Sequence, residues 1–329
     1  MSETNLVTAI RDALHAEMAA DDRVLLLGED VGARGGVFKV SEGFLDEFGE
    51  RRVIDTPLAE SAIVGVAIGM ALRGLLPVAE IEFADFIHPA FDQIVSEAAR
   101  MRYRTNGDQG CPMVIRAPCG GGIHGALYHS QSIEAFYAHV PGLKVVMPST
   151  PVDAAGLLRS AIRDPDPVLF LEHKKCYRAI TGEVPEGEHV EPIGVATVVR
   201  EGTDLSVISY GYEVHRCLDA AERLGTDHGI SVEIVDVRTL APLDTETILR
   251  SVRKTSRAIV VYEDNRTYGA GAEIAATIAE EALFDLDAPV VRIGGPDIPA
   301  MPYAGPLEHY YTEPTPDHLY GAMLHLARS

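Results

Sequence analysis

Apolar runs rich in Val and Ile alternate with segments of helical period along the whole chain, a pattern that predicts parallel sheets covered by helices. Asn5–Ala20 reads as a helix and Arg23–Leu27 as a buried strand. A strand near Val53, a helix from Glu60 and a strand over Pro77–Phe83 follow. Phe91–Tyr103 reads as a helix, Met113–Ala117 and Leu143–Met147 as strands, Val152–Arg163 as a helix and Val168–Leu171 as a strand. Between Ala179 and Asp204 the composition shifts to Gly, Pro and Glu, as expected of a linker. A second series then begins: strand Leu205–Tyr210, helix Glu213–Leu224, strand Val232–Val235, helix Thr245–Val252, strand Ala258–Tyr262, helix Ala272–Ala282 and strand Val290–Ile293. The expected architecture is two doubly wound α/β domains, 1–180 and 204–329, joined by a linker over 181–203.

Bulk properties narrow the function. At 329 residues, 47% of them hydrophobic, the chain has ample material for two cores. The net charge of −21 argues against nucleic acid, whose phosphates call for a basic stripe. The longest apolar segment, Ala62–Leu76, is too short for a membrane span and carries Arg73. The first residues lack the basic start and apolar centre of a secretory signal. Cys111, Cys119, Cys176 and Cys217 form no Cys-x-x-Cys pair and fit a reducing compartment. A cytoplasmic location is expected.

The most informative stretch is Asp55-Thr-Pro-Leu-Ala-Glu-Ser61. Thr56-Pro57 reads as a helix start with Pro at the first helical position. That puts Glu60 at the head of an apolar segment with no Lys or Asp to balance it. A carboxyl buried among apolar side chains is held protonated and can serve as a general acid. The simpler explanation is a glutamate favouring the positive end of a helix.

Other motifs carry less. Gly269-Ala-Gly271-Ala-Glu-Ile274 resembles a dinucleotide fingerprint, but Ile274 stands where its third glycine belongs, and close packing of a helix start explains the glycines better. Gly107-Asp-Gln-Gly110 resembles the opening of a diphosphate–magnesium site, yet no Asn follows at a suitable distance. Cys119–Ser132 is a glycine-rich loop bearing His124 and His129. No third ligand at the usual spacing supports zinc. A proton-transfer histidine and a solvated one both fit. Glu29-Asp30 and Asp92 lie near strand ends or helix starts, where open α/β sheets line their ligand crevice and where capping also occurs.

Taken together, these segments resemble the β subunit of the decarboxylating component of 2-oxo acid dehydrogenase complexes. The resemblance runs through Leu27-Gly-Glu-Asp-Val31, Gly36-Val-Phe-Lys-Val40, Asp55–Ser61, Phe91-Asp-Gln93, His129-Ser-Gln131, Pro141–Val146, Ala161-Ile-Arg-Asp164 and Val237-Arg-Thr-Leu240. It implies a pyrimidine-binding domain followed by a transketolase C-terminal-like domain, in an α₂β₂ heterotetramer that docks on a lipoyl acyltransferase core. Thiamine diphosphate would lie between the subunits, with the magnesium and diphosphate ligands on α. Glu60 matches the glutamate that hydrogen-bonds the aminopyrimidine and favours its imino tautomer. His129 matches the histidine that assists acyl transfer to the lipoyl group. Phe86 matches the aromatic packed on the pyrimidine, without the hydroxyl that many branched-chain relatives have there. Glu29 and Asp92 fall where relatives place the acidic groups of a channel linking two active sites. A potassium site would draw oxygens from Met113 or Val114, Ala161, Ile162, Asp164 and Asp166. Gly125–Ser132 resembles the branched-chain type, while Arg163–Val168 occurs in branched-chain and pyruvate forms alike. The branched-chain acid is therefore favoured over pyruvate. A transketolase-like enzyme would carry the diphosphate domain on the same chain, and a non-catalytic subunit has no need of Glu60 and His129.

Overall fold

The computed structural model describes residues 2–311 and 315–329, and the chain divides into two compact units. The first comprises residues 1–119 and 136–193; the second comprises 120–135 and 194–329.

In the first unit, β1 (Ser2–Asn5) leads into α1 (Leu6–Ala20), whose N-cap Asn5 accepts the amide of Thr8 at 2.9 Å. Then come β2 (Val24–Gly28), α2 (Phe44–Phe48), β3 (Val53–Asp55), α3 (Glu60–Leu72) and β4 (Leu76–Glu80). The segment expected as one helix over Phe91–Tyr103 is a π-helical turn over Gln93–Ala98 followed by α4 (Met101–Arg104). The unit continues with β5 (Val114–Cys119), α5 (Glu134–Ala138, its first two residues in the second unit), β6 (Lys144–Val146), α6 (Pro151–Arg163) and β7 (Val168–His173). It closes with α7 (Cys176–Ala179) and β8 (Thr181–Val184). Thr150 caps α6 by accepting the amide of Asp153 at 3.2 Å, with Pro151 pre-set at the first helical position. Strands of the main sheet run parallel in the order β6-β7-β5-β4-β2-β3. Each of β2, β5 and β7 is buried along its whole length, which explains their largely apolar character; β5 and β7 are interrupted by Arg116 and by Glu172-His173.

The second unit holds β9 (Thr197–Arg200), β10 (Leu205–Ser209), α8 (Glu213–His228), β11 (Val232–Asp236), a short β12 (Thr239–Ala241), α9 (Thr245–Thr255) and β13 (Ala258–Asn265). It ends with α10 (Gly271–Glu281), β14 (Val291–Gly295), α11 (Gly305–Tyr311) and α12 (Pro316–Ala327). Its sheet order is β14-β13-β10-β11-β9, parallel except for β9. Leu205, Val207, Cys217, Leu224, Ile234, Ile259 and Met323 belong to its apolar core. Among the described residues, no helix is long and apolar enough to cross a membrane.

Two expectations about the chain's organisation change. The segment expected as a linker, 181–203, is not featureless: β8 pairs antiparallel with β1, and β9 with β11. Its Gly and Pro content marks turns between short edge strands, which composition alone cannot distinguish from a linker. The glycine-rich loop from residue 120 to 135 packs with the second unit although it leaves from β5.

Candidate active site

The sheet of the first unit reverses its winding at β2. From β2 the chain moves outward to the edge strand β3, then returns to β4 on the other side of β2 before continuing to β5. Such a switch opens a crevice beyond the carboxyl ends of the strands, where open α/β sheets bind ligands. Carboxylates gather here: Glu29 and Asp30 after β2, Asp55 at the end of β3 and Glu60 after it, Glu80 at the end of β4 and Glu82 after it. Arg34 supplies a counter-charge, its guanidinium 2.7 Å from Asp30.

The loop after β2 closes tightly over this end of the sheet. Gly32 donates its amide to Asp55 Oδ1 at 2.6 Å, and a Cβ on Gly32 would lie 2.5 Å from the same carboxylate. Gly36, at φ +76°, brings its backbone so close to Glu80 that a Cβ would lie 2.7 Å from Oε1. A side chain at either position would push the loop off the carboxylates.

Burial raises the Glu29 carboxyl above its ordinary range, with the neighbouring charges of Asp30 and Glu60 adding to the shift. Glu82, which the sequence reading passed over, is pushed up to about 7 by burial and then by Glu29, Asp30 and Glu80, against the pull of Arg34. A carboxyl with a raised folded-state value contributes stability that is fully present below its unfolded value of 4.5 and lost as pH rises through about 7. Glu82→Gln is therefore expected to flatten the fall in stability between those two values. Urea unfolding across that interval checks this, and an unchanged slope would place the titration elsewhere.

Glu60 is the first residue of α3, and Ala59, without a side-chain hydrogen bond, is its cap. The helix thus begins later than Thr56-Pro57 predicts, because the chain first turns across the end of β3, where Thr56 donates its amide to Gly28 O at 2.9 Å. Glu60 stands in the first turn of α3, with no side-chain hydrogen bond capping the helix. It is half-buried, not enclosed among apolar side chains as the sequence suggested. The face of α3 bearing Ala62, Gly65, Val66 and Gly69 is exposed, so the apolar run does not wrap around Glu60 within this chain.

Ser61 donates to Pro89 O at 2.5 Å and ties the head of α3 to the second of two turns, Ala84–Phe86 and His88–Ala90. Phe86 sits on the first of these turns, edge-on to Phe83 at 5.9 Å between ring centres. Phe83 in turn meets Phe38 at 5.7 Å, and Phe38 meets Tyr177 at 4.9 Å. Asp92 is exposed on the next segment, ahead of the π-helical turn.

A charged network that the sequence reading also missed lies beneath the crevice. Arg116 on β5 donates to Glu80 Oε2 at 2.6 Å and forks onto both oxygens of Glu172 at 2.7 and 2.9 Å. Tyr177 donates to Glu172 at 2.5 Å. All four side chains are buried. The available signal was a charge inside each of two apolar strands, Arg116 in Val-Ile-Arg-Ala and Glu172 in Leu-Phe-Leu-Glu-His.

His129 lies on the loop 120–135, packed with the second unit. Glu263 accepts from Gly121 N at 2.7 Å and from Ser132 Oγ at 3.0 Å. Tyr210 donates to Glu134 at 2.9 Å, and burial pushes the Glu134 carboxyl up to about 8. Gly269 and Gly271 lie flat against Tyr262, where a Cβ on Gly271 would come within 2.1 Å of the ring, so their role in packing is direct.

Around the expected potassium ligands, both carboxylates already hold cations. Lys144 Nζ reaches Asp164 at 2.5 and 2.6 Å, and Arg102 Nε reaches Asp166 at 2.7 and 2.9 Å. The donors suited to a further cation there are main-chain carbonyls. Among the described residues, no cluster of three or more His, Cys, Asp or Glu side chains is arranged to hold a metal ion.

The first unit is a parallel α/β fold with a glutamate at the head of the helix after its second sheet strand, beside a switch-point crevice. Residues 2–179 match the transketolase pyrimidine-binding domain and residues 194–319 the transketolase C-terminal domain. The chain is 58% identical to the 2-oxoisovalerate dehydrogenase subunit beta of Bacillus subtilis, over 99% of each chain. It is 52% identical to the pyruvate dehydrogenase E1 component subunit beta of the same organism, over 90% of this chain and 91% of that one. A solved split-gene transketolase, an inactive β4 tetramer, shares the fold at a TM-score of 0.79 and 24% identity, over 98% of each chain. The chain belongs to the family of 2-oxo acid dehydrogenase β subunits, enzymes whose decarboxylating component uses thiamine diphosphate together with an α subunit.

Proposed function

We propose that this chain is the β subunit of a branched-chain 2-oxo acid dehydrogenase, active only in an α₂β₂ assembly that passes the acyl group to a lipoyl acyltransferase core. The carboxylate cluster at the switch point, with Glu60 at the head of α3, carries this reading. The greater identity and coverage of the 2-oxoisovalerate relative support the branched-chain acid over pyruvate.

The residues of the crevice suit the pyrimidine half of thiamine diphosphate: a carboxyl able to hydrogen-bond a ring nitrogen, and Phe86 to pack on a flat heteroaromatic ring. They do not suit a diphosphate, because the carboxylates gathered at the crevice outnumber their counter-charges, Arg34 on Asp30 and the buried Arg116 on Glu80. The diphosphate and magnesium are assigned to the α subunit. When bound, the cofactor supplies the electron sink that lets a 2-oxo acid lose carbon dioxide. Glu60 holds a proton at the ring nitrogen. Nearby, burial raises both Glu29 and Glu82, the latter to about 7, so this end of the sheet favours neutral carboxyls. Asp92, exposed ahead of the π-helical turn, is assigned with Glu29 to the acidic channel between two active sites. His129 moves a proton during transfer of the acyl group to the lipoyl sulfur. A potassium ion at the turn after α6 would be held by main-chain carbonyls of Met113 or Val114, Ala161, Ile162 and Asp164, with Asp166 beside them. Four free, buried cysteines support a cytoplasmic setting.

The test is dye-coupled 2-oxo acid oxidation, with thiamine diphosphate and magnesium, by this chain alone and by the chain co-expressed with its α subunit. Activity is expected only in the pair, with kcat/KM for a branched-chain acid roughly tenfold or more above that for pyruvate, the discrimination a few methylenes provide. A preference for pyruvate would reassign the substrate, and turnover by the chain alone would refute the shared site.

A further inference from the structure

The loop carrying His129 has an unusual set of backbone constraints. His124 and Ala126 adopt φ values of +59° and +55°, a left-handed conformation that side chains rarely occupy without support. Glu308, in the middle of α11 and only 2% exposed, supplies that support at His124. Its carboxylate accepts from Gly122 N at 2.9 Å and from His124 N at 3.1 Å to each oxygen. It also pairs with His124 Nδ1. The His124 ring packs on Gly305, where a Cβ would lie 3.2 Å from Cε1.

The clamp is linked to His129 through backbone. Gly125, next to His124, packs so closely on His129 that a Cβ would lie 2.7 Å from its carbonyl oxygen and 2.8 Å from its Cβ. A single turn of 3₁₀ helix over Ala126–Tyr128 spans the gap. Gly120 N closes the loop onto Gln131 O at 2.9 Å, and Gln131 Nε2 returns to Leu127 O at 3.1 Å. A change in the φ of His124 therefore moves Gly125 against His129.

We propose that Glu308 is a positioning residue for acyl transfer: by clamping Gly122 and His124 it sets the placement of His129. This rests on the reading of His129 given above. A carboxylate is required because two oxygens accept from two amides and a ring nitrogen, whereas a glutamine offers one acceptor oxygen and turns an NH₂ toward a donor.

The experiment uses the assembled α₂β₂ enzyme and two rates, reductive acylation of an isolated lipoyl domain and dye-coupled oxidation of the same 2-oxo acid. In Glu308→Gln the ratio of the first rate to the second is expected to fall roughly 10- to 100-fold, the scale of a small misplacement of a reacting group. His129→Ala is expected to lower the same ratio, and the double variant to fall no further than His129→Ala alone. His124→Ala removes a side chain that is 64% exposed and is expected to leave the fold intact, so it keeps the test decisive if Glu308→Gln fails to assemble. It is expected to shift the ratio in the same direction by a smaller factor. An unchanged ratio in His129→Ala overturns the reading of His129. A lowered ratio there with an unchanged ratio in the Glu308 and His124 variants, or additive losses in the double variant, overturns the role of Glu308 alone.

Discussion

Glu60→Gln is expected to lower the decarboxylation rate of the assembled enzyme by ~10²–10⁴-fold, the range for losing a positioned acid or base. The substitution keeps the shape of the side chain but can neither accept nor release a proton at neutral pH. Position and environment explain why the effect should be confined to chemistry. Glu60 is partly exposed at the first turn of α3 and caps nothing through its side chain, so losing its charge should cost the helix no more than about 0.3–1 kcal/mol. Its effect on Glu29 should be visible independently: with the charge of Glu60 removed, one contribution to the raised Glu29 value is lost and that carboxyl should titrate lower. Dye-coupled kcat, size-exclusion of the α₂β₂ species and carboxyl NMR together check the three parts. Normal turnover in an assembled variant would remove Glu60 from the mechanism.

The parallel character of the sheets was legible because strands buried on both faces are predominantly apolar: β2 is so throughout, and β10 and β11 are built on Leu, Val and Ile although they also bury Ser206, Ser209, Glu233 and Asp236. Glu60 was legible because a carboxyl at the head of an apolar segment is visible in one dimension. Its surroundings were not. Whether an apolar helix faces inward or outward depends on the sheet beneath it, and the exposed face with Ala62, Gly65, Val66 and Gly69 cannot be inferred from a segment that is apolar on every side. Glu82 was overlooked because strand alternation makes a second glutamate two residues after Glu80 look like a solvated edge. Only the switch in strand order brings it beside Glu29 and Asp30. Glu263 and Glu308 lie 142 and 184–186 residues from the loop amides they hold, a separation that no local pattern records.

Arg116→Met is expected to cost about 3–5 kcal/mol of stability, the usual penalty for removing one partner of a buried ion network. Arg116 is 1% exposed, Glu172 0% and Glu80 6%, so the two carboxylates left behind could not be rehydrated without opening the sheet. Burial works against the charged guanidinium, but Glu172 and Glu80 overcome it and hold its value above the usual one. Burial likewise raises Glu80, with Arg116 pulling the other way, so without Arg116 that carboxyl should take up a proton. A triple change, Glu80→Gln with Arg116→Met and Glu172→Gln, removes the stranded charges and is expected to recover much of the loss, because replacing a whole buried network is often near neutral. Urea unfolding of the three proteins decides between a network that stabilises and one that specifies. Recovery of stability without recovery of activity would assign the network to the site: Glu80 is the last residue of β4, and the loop after β2 rests on it through Gly36 and Gly28, whose added Cβ atoms would lie 2.7 Å from Glu80 Oε1 and 2.6 Å from its main-chain oxygen. A triple variant as unstable as Arg116→Met would instead mean that the charges themselves hold β4, β5 and β7 together.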